Sequence, residues 1–157
     1  MKKENIIEIF LLVLVVASVI LLPLVIIKID KYYLARKFPK NAQVITLYGI
    51  AKGGLWTQEP VNSFNYWWKR FKRAEEIPIR DDGTPIFFRI TSTDVVHSFA
   101  IPLYRIGPYD IKPGEFTEVE LKTDKELVDT GFLCWQYCDK DHEHMKGRLV
   151  ILPKNEE

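Results

Sequence analysis

The sequence predicts a small, mainly β domain, a sandwich or barrel, preceded by one N-terminal transmembrane helix. Three observations carry this reading. Ile9 to Ile27, IFLLVLVVASVILLPLVII, is nineteen residues without a charge. From about Val44 the texture changes to short apolar runs separated by Gly and Pro turns. Both cysteines, two of the three histidines and one of the two methionines fall within CWQYCDKDHEHM, Cys134 to Met145. That loop crowds soft and borderline ligands and suggests a transition metal.

The first element is the anchor, residues 1–30. At about 1.5 Å per residue its apolar stretch nearly crosses a hydrocarbon core of roughly 30 Å, and Ile6 and Ile7 extend it. No small-residue cleavage site follows, so the segment reads as an uncleaved anchor rather than a signal peptide. Pro23 is tolerable as a kink among membrane helices. The competing reading is a buried helix of a soluble protein. Lys2 and Lys3 precede the anchor, while Lys28, Lys31, Arg36, Lys37 and Lys40 follow it. Taken alone, the positive-inside bias would put the following domain in the cytoplasm. Residues 31–42 read as a charged, Pro-containing connector.

The β domain spans 43–157. Val44 to Tyr48 is a strand, ended by Gly53-Gly54. In PVNSFNYWWKRFKR, residues 60 to 73, Phe64, Trp67, Trp68 and Phe71 share one helical face. That predicts an inserted aromatic and basic helix near 62–74. It either packs on the sandwich, lies at a membrane interface or docks on a partner subunit. Ile86 to Thr91 follows the turn Asp82-Gly83. Phe116 to Leu121 follows Pro113-Gly114 and alternates, with Thr117, Val119 and Leu121 on one side. Phe132 to Trp135 and Arg148 to Leu152 complete the set.

Composition excludes some classes. A formal charge of +1 argues against broad electrostatic binding of nucleic acid. Two cysteines cannot build a disulfide-rich scaffold. No internal repeat is present.

Spacing narrows the metal. Cys134 and Cys138 are four apart, His142 four beyond, and Met145 three beyond that. With no second cysteine pair, a Cys₄ zinc site is impossible within one chain. Cys₂His₂ zinc and a Cys134–Cys138 disulfide remain open. A thioether beside two thiolates suits copper better than zinc. Two bridging thiolates can hold two copper ions if a second imidazole arrives from elsewhere, and His97 is the one histidine outside the loop. His144 competes with His142, and the spacing favours His142, leaving His144 as a surface side chain.

Two separated segments carry a resemblance. FRITSTDVVHSFAIP holds Asp94, His97, Ser98 and Pro102, and the later loop holds Cys134, Cys138, His142 and Met145, with Asp110 and Pro113-Gly114 between. In this the chain resembles subunit II of the haem–copper cytochrome oxidases, over the anchor and residues 85 to 152. The resemblance implies a cupredoxin-like Greek-key domain on the periplasmic side of the cytoplasmic membrane, against the charge bias noted above. It implies a binuclear copper centre, CuA. Cys134 and Cys138 would bridge both ions, His97 and His142 would each cap one, and Met145 and the carbonyl of Gln136 would be weak axial ligands. Electrons would pass from a c-type cytochrome through CuA to haem in subunit I. Haem would belong to that partner only, since no C-x-x-C-H motif is present, and this chain would hold no catalytic residue.

The departures carry expectations too. Gln136 stands where many relatives have a glutamate that also reaches magnesium, so no magnesium site is predicted. Asp139 replaces the usual glycine. One anchor instead of two is the arrangement of the B-type oxidases. Trp56 loosely matches the tryptophan-rich segment through which electrons enter and is the candidate entry residue, but a core role is the favoured reading. From Glu115 to Glu143 there are nine acids and three bases. This excess predicts a donor with a basic face, with Asp139 and Asp141 nearest the ligands. The alternatives are the CuA subunit of a nitric-oxide reductase and a membrane-anchored copper-delivery protein.

Overall fold

The computed structural model describes residues 3–60, 76–123 and 126–152. It divides into two units, Met1–Lys40 and Asn41–Glu157. The aromatic and basic helix expected near 62–74 lies outside the described residues, so its role stays an expectation.

The first unit is a helix, α1, Lys3–Lys37. Its stretch Ile7–Ile26 has mean hydropathy 3.3 and is unburied, so it is long and apolar enough to cross a bilayer. The helix does not end near residue 30, where the sequence reading places the connector. Between Ile27 and Lys37 there is neither Gly nor Pro to stop it. Two i,i+4 pairs support the added turns: Arg36 lies over the Tyr32 ring at 4.7 Å and Lys37 over Tyr33 at 5.3 Å. Pro39 disfavours helix at the residue before it, and the helix stops there.

The second unit is a two-sheet β-sandwich. Its strands are β1 (Gln43–Ile50), β2 (Leu55–Thr57), β3 (Glu76–Arg80), β4 (Ile86–Ser92), β5 (His97–Ile101), β6 (Ile106–Ile111), β7 (Thr117–Glu120), β8 (Thr130–Cys134) and β9 (Lys146–Leu152). One sheet runs β2-β1-β4-β7 and the other β3-β9-β8-β5-β6. Parallel pairs β1–β4 and β3–β9 sit among antiparallel neighbours. This is the mainly β, cupredoxin-like sandwich expected. The predicted strands are present with shifted ends, and β2, β3, β5 and β6 are additions.

The additions hide from periodicity for physical reasons. β5 is buried at every position, so it shows no alternation. β3 and β6 carry Pro78 and Pro108, which argue against strand in a sequence. Both strands lie at the edges of their sheet, where a missing N–H leaves no ladder bond unmade. Between the sheets Phe99 of β5 is fully buried against Phe88 of β4 at 5.5 Å, Trp56 of β2 at 5.7 Å and Phe132 of β8 at 5.8 Å. Burial of such a side chain contributes roughly 1.5–3 kcal/mol. The aromatic column fixes β2, β5 and β8 relative to one another, and β5 and β8 carry His97 and Cys134.

Candidate metal centre

Three pieces of chain converge at one end of the sandwich. His97 opens β5, Cys134 closes β8, and residues 135–145 loop out and return as a short 3₁₀ turn, His142–His144, before β9. Backbone bonds tie the pieces. Cys134 N–H donates to the Met145 carbonyl at 2.9 Å, and Trp135 N–H donates to the Ser98 carbonyl at 3.0 Å. The loop ends are therefore extensions of the sheet ladder, and Cys134 and Met145 stand on backbone tied to it.

The donor atoms gather as the spacing suggests. Cys134 and Cys138 sulfurs are 3.8 Å apart. Cys138 Sγ lies 3.6 Å from His142 Nδ1 and 3.8 Å from Met145 Sδ. The Gln136 carbonyl is 3.3 Å from Cys134 Sγ, while the Gln136 residue itself is exposed. A ring nitrogen of His97 and both cysteine sulfurs fall within 4.8 Å of one another. The thiols are free, since a disulfide bond is about 2.05 Å long. Metal–thiolate bonds of about 2.3 Å let a single ion touch both sulfurs across 3.8 Å. His144 is exposed and reaches Glu143 at 3.5 Å, away from this cluster.

His97 shows which of its nitrogens is available. It is buried, and its Nε2 meets Asp94 Oδ1 at 3.0 Å. Asp94 is itself held by the N–H groups of Ala51 at 2.7 Å and Val95 at 2.8 Å. His97 Nδ1 is buried with no hydrogen-bond partner. A buried polar atom of this kind costs stability unless a ligand completes it. With Nε2 engaged, the nitrogen left to meet the sulfurs is Nδ1.

The charges agree with a ligand set. Burial alone would raise the Cys134 thiol, but His97, the Ser98 N–H at 3.4 Å and Cys138 outweigh it and hold the pKa below its ordinary value. Burial and then the neighbouring Cys134 charge push Cys138 up to about 12. Burial disfavours the charged form of His97, yet Asp94 and Cys134 more than offset it and raise the pKa. Burial would also raise Asp94, and His97 with the Val95 and Ala51 N–H groups lowers it overall.

Trp56 takes the core place favoured for it, and not a surface position for electron entry. It is 1% exposed, so it offers no surface to an incoming partner. Its indole N–H donates to the Met145 carbonyl at 3.3 Å, and its ring stands 5.9 Å from that of His97. It is a core tryptophan packed against His97 and the Met145 backbone. Gly49, paired with Trp56 across the β1–β2 ladder, was not among the expected site residues. A Cβ there would meet His97 Cδ2 at 2.7 Å, Trp56 Cζ3 at 3.0 Å and Met145 Cε at 3.1 Å. An isolated glycine within a strand pattern is the signal that could have found it.

The acidic residues are partly committed. Asp141 accepts the Gly53 N–H at 2.9 Å, and Asp139 accepts the Lys140 N–H at 2.8 Å. Asp129 is bound by Arg148 at 2.9 Å and Glu120 by Lys122 at 2.8 Å. Gly54, at φ +56°, lets the β1–β2 turn press on this loop, since a Cβ there would lie 2.0 Å from the Asp141 carbonyl oxygen. Asp141 is thus a brace for the loop as well as a charge.

Comparison with known proteins follows the same lines. A family model described as cytochrome C oxidase subunit II, periplasmic domain, matches residues 72–151, just over half of the chain. The heme-copper oxidase subunit 2 of Aeropyrum pernix is 28% identical over 150 residues, covering 91% of this chain and 59% of that protein. The cytochrome c oxidase subunit 2 of Thermus thermophilus is 36% identical over 76 residues, covering 48% of this chain and 53% of that protein. The chain thus spans little more than half the length of these curated relatives. In fold it is similar to a chain of a heme-copper terminal oxidase dimer solved by cryo-electron microscopy. The TM-score is 0.51 at 17% identity, over 96% of this chain and 99% of that one. With the matched segment enclosing His97 and the whole loop from Cys134 to Met145, this chain belongs to the cytochrome c oxidase subunit II family.

Proposed function

We propose that this chain is the copper-bearing electron-transfer subunit of a membrane haem–copper terminal oxidase. The observation that carries it is the cluster itself. Two thiols, two imidazoles, a thioether and a carbonyl converge, and the buried His97 Nδ1 has no other partner. The donor set divides in two, with His97 beside Cys134 and His142 beside Cys138. That division supports a pair of ions bridged by the thiolates, with Met145 and the Gln136 carbonyl as weaker donors. Bound there, two copper ions would supply a one-electron carrier. The protein's part is to hold the ligands still. Asp94 orients His97, Trp56 and Gly49 pack behind it, and His97, Cys134 and Met145 are buried, so these three have little freedom to rearrange when charge changes.

The rest of the reading rests on family membership and on α1. The donor is a c-type cytochrome, the acceptor is haem in a partner subunit where oxygen is reduced, and the β unit faces the outside of the cytoplasmic membrane. Assembly with the partner subunit overrides the cations that follow the apolar stretch.

The test is copper loading of the full chain in detergent, followed by metal analysis and visible and electron-spin-resonance spectra. Two coppers per chain with one electron spin shared between them is the expected result. A colourless chain holding one zinc would overturn the reading, and rapid loss of copper to a weak chelator would favour a delivery protein. Orientation is checked by impermeant labelling of a cysteine placed near Lys154 in intact cells.

A further inference from the structure

The two ends of α1 are charged unequally. Ahead of the charge-free run Ile9 to Ile27, residues 1–8 hold two lysine and two glutamate side chains. Beyond it, Lys28, Lys31, Arg36, Lys37 and Lys40 stand against Asp30 alone. The helix does not stop at the end of the apolar run. It continues to Lys37, ten residues past Ile27 and so about 15 Å further at about 1.5 Å per residue. Cations that the sequence reading assigned to a connector are therefore carried on helical backbone. Lys28, Tyr32 and Arg36 recur every four residues and share one face, and Tyr33 and Lys37 form a second row beside it. All five side chains are exposed.

Side-chain direction brings these charges to one depth. Side chains on a helix lean toward its N-terminus, and here that is toward the apolar run. Two contacts fix the lean. The Arg36 guanidinium lies over the Tyr32 ring at 4.7 Å, and the Lys37 ammonium over the Tyr33 ring at 5.3 Å. Each cation is thus drawn back by about one turn. Tyr32 and Tyr33 stand five and six residues past Ile27, roughly 8–9 Å along the axis. The headgroup layer outside the hydrocarbon is about 5–8 Å deep on each side. Lys28 is next to the hydrocarbon edge, and Arg36 and Lys37 are held back near the level of lipid phosphates instead of extending into water.

Charge and geometry identify the occupant. A guanidinium donates two parallel N–H bonds to a phosphate, and an ammonium adds a point charge. Tyrosine rings suit the same layer, with an apolar body and a polar tip. A zwitterionic headgroup brings its own cation beside the phosphate and gains nothing net from four or five more. An anionic headgroup gains from each of them.

We infer that Lys28, Arg36 and Lys37, with Tyr32 and Tyr33 as the rings that hold the last two in place, bind anionic phospholipid headgroups in the leaflet at the C-terminal end of the apolar run. This rests on the reading of α1 as a membrane-spanning helix and is independent of copper. Bound lipid would neutralise the cations whose position opposes the proposed orientation, and would fix the depth of α1 in the bilayer.

The test places the full chain in phosphatidylcholine vesicles with trace spin-labelled lipid, either phosphatidylglycerol or phosphatidylcholine. The motionally restricted fraction of each label gives their relative association with the chain. The anionic label should be preferred by about 3-fold or more at low salt. The preference should shrink toward equality near 1 M salt, where the screening length is about 3 Å. Lys28→Gln with Arg36→Gln and Lys37→Gln keeps good helix formers and should also bring the ratio near one. Tyr32→Leu with Tyr33→Leu keeps the charges, removes the rings that draw them back, and should give an intermediate ratio. Inorganic phosphate at matched ionic strength should change nothing. Loss of the preference in phosphate would mean a site for the free ion and would overturn the inference. Equal association of both labels with a chain that resists extraction by alkaline carbonate overturns it while leaving the membrane reading intact. Extraction by carbonate defeats the membrane reading and the inference with it. A glutamine variant that keeps its lipid preference but no longer co-purifies with the catalytic subunit also overturns it, because the cations would then serve that partner.

Discussion

Asp94 Oδ1 lies 3.0 Å from His97 Nε2, and this contact leaves Nδ1 as the buried ring nitrogen without a hydrogen-bond partner. The same carboxylate takes the Ala51 N–H from the β1–β2 turn, so the turn, the carboxylate and the ligand form one chain of contacts. Removing such an orienting partner ordinarily lowers metal affinity by about 10–100-fold. Asp94→Ala should do so here, and Asp94→Asn, which keeps an acceptor oxygen, should lose less. Competition with a graded chelator series measures it. Equal affinity in both variants would mean that packing alone orients the ring.

The two cysteines are predicted to be equally indispensable and Met145 not. Cys134→Ser or Cys138→Ser should reduce the stoichiometry below two coppers, because in the proposed centre each of the two sulfurs, 3.8 Å apart, serves both ions. Met145→Leu conserves volume, and the backbone carbonyl that holds Trp56 and Cys134 is retained. Two coppers should stay, with a changed reduction potential. Metal analysis and spectroelectrochemistry read the difference, and two coppers in a Cys138→Ser chain would refute bridging.

Gly49→Ala tests the packing behind His97. The added methyl would have to displace His97, Trp56 or Met145, all three of which are buried. Overpacking of this kind costs about 1–3 kcal/mol. The expected outcome is a lower melting temperature of the metal-free chain together with weaker copper binding. A variant as stable as the parent would show that the strand can shift.

Copper uptake should release protons. Cys138, pushed up to about 12 by burial and the Cys134 charge, keeps its proton at neutral pH in the metal-free chain. A thiolate ligand must lose it. Lowering the pH raises proton competition, so apparent affinity should fall as pH falls and rise as pH rises. Loading in weak buffer with an indicator dye should show at least about one proton released per chain at pH 7. No release would place the thiol already ionised.

Some of this was legible in the residues alone. The apolar run of α1 needs only length and absence of charge. Cys134, Cys138, His142 and Met145 lie on one short loop, so their spacing already brings their side chains together. Strands with one wet face, such as β7 with buried Val119 between half-buried neighbours, were visible through alternation. β5 and β6 were not, because full burial erases alternation and Pro108 mimics a strand breaker. The same limit explains Trp56. A tryptophan near a glycine turn reads alike whether it faces solvent or core, and only the second sheet closing over it decides.

By itself, then, the sequence determined that a helix long and apolar enough to cross a membrane precedes a β domain, and which side chains could bind a soft metal. Those properties depend on residue type and near-neighbour spacing. The tertiary structure alone decided that His97 meets Cys134 across 36 intervening residues, that Asp94 reserves Nε2 and frees Nδ1, and that Gly49 must lack a side chain. It also decided that Trp56 is closed off while Trp135 and Tyr137 stand open. The Asp94–His97 contact is local, three residues apart, but the Ala51 N–H that holds the carboxylate and the meeting of His97 with Cys134 come from distant strands, and such contacts exist only once both sheets have packed around Phe99.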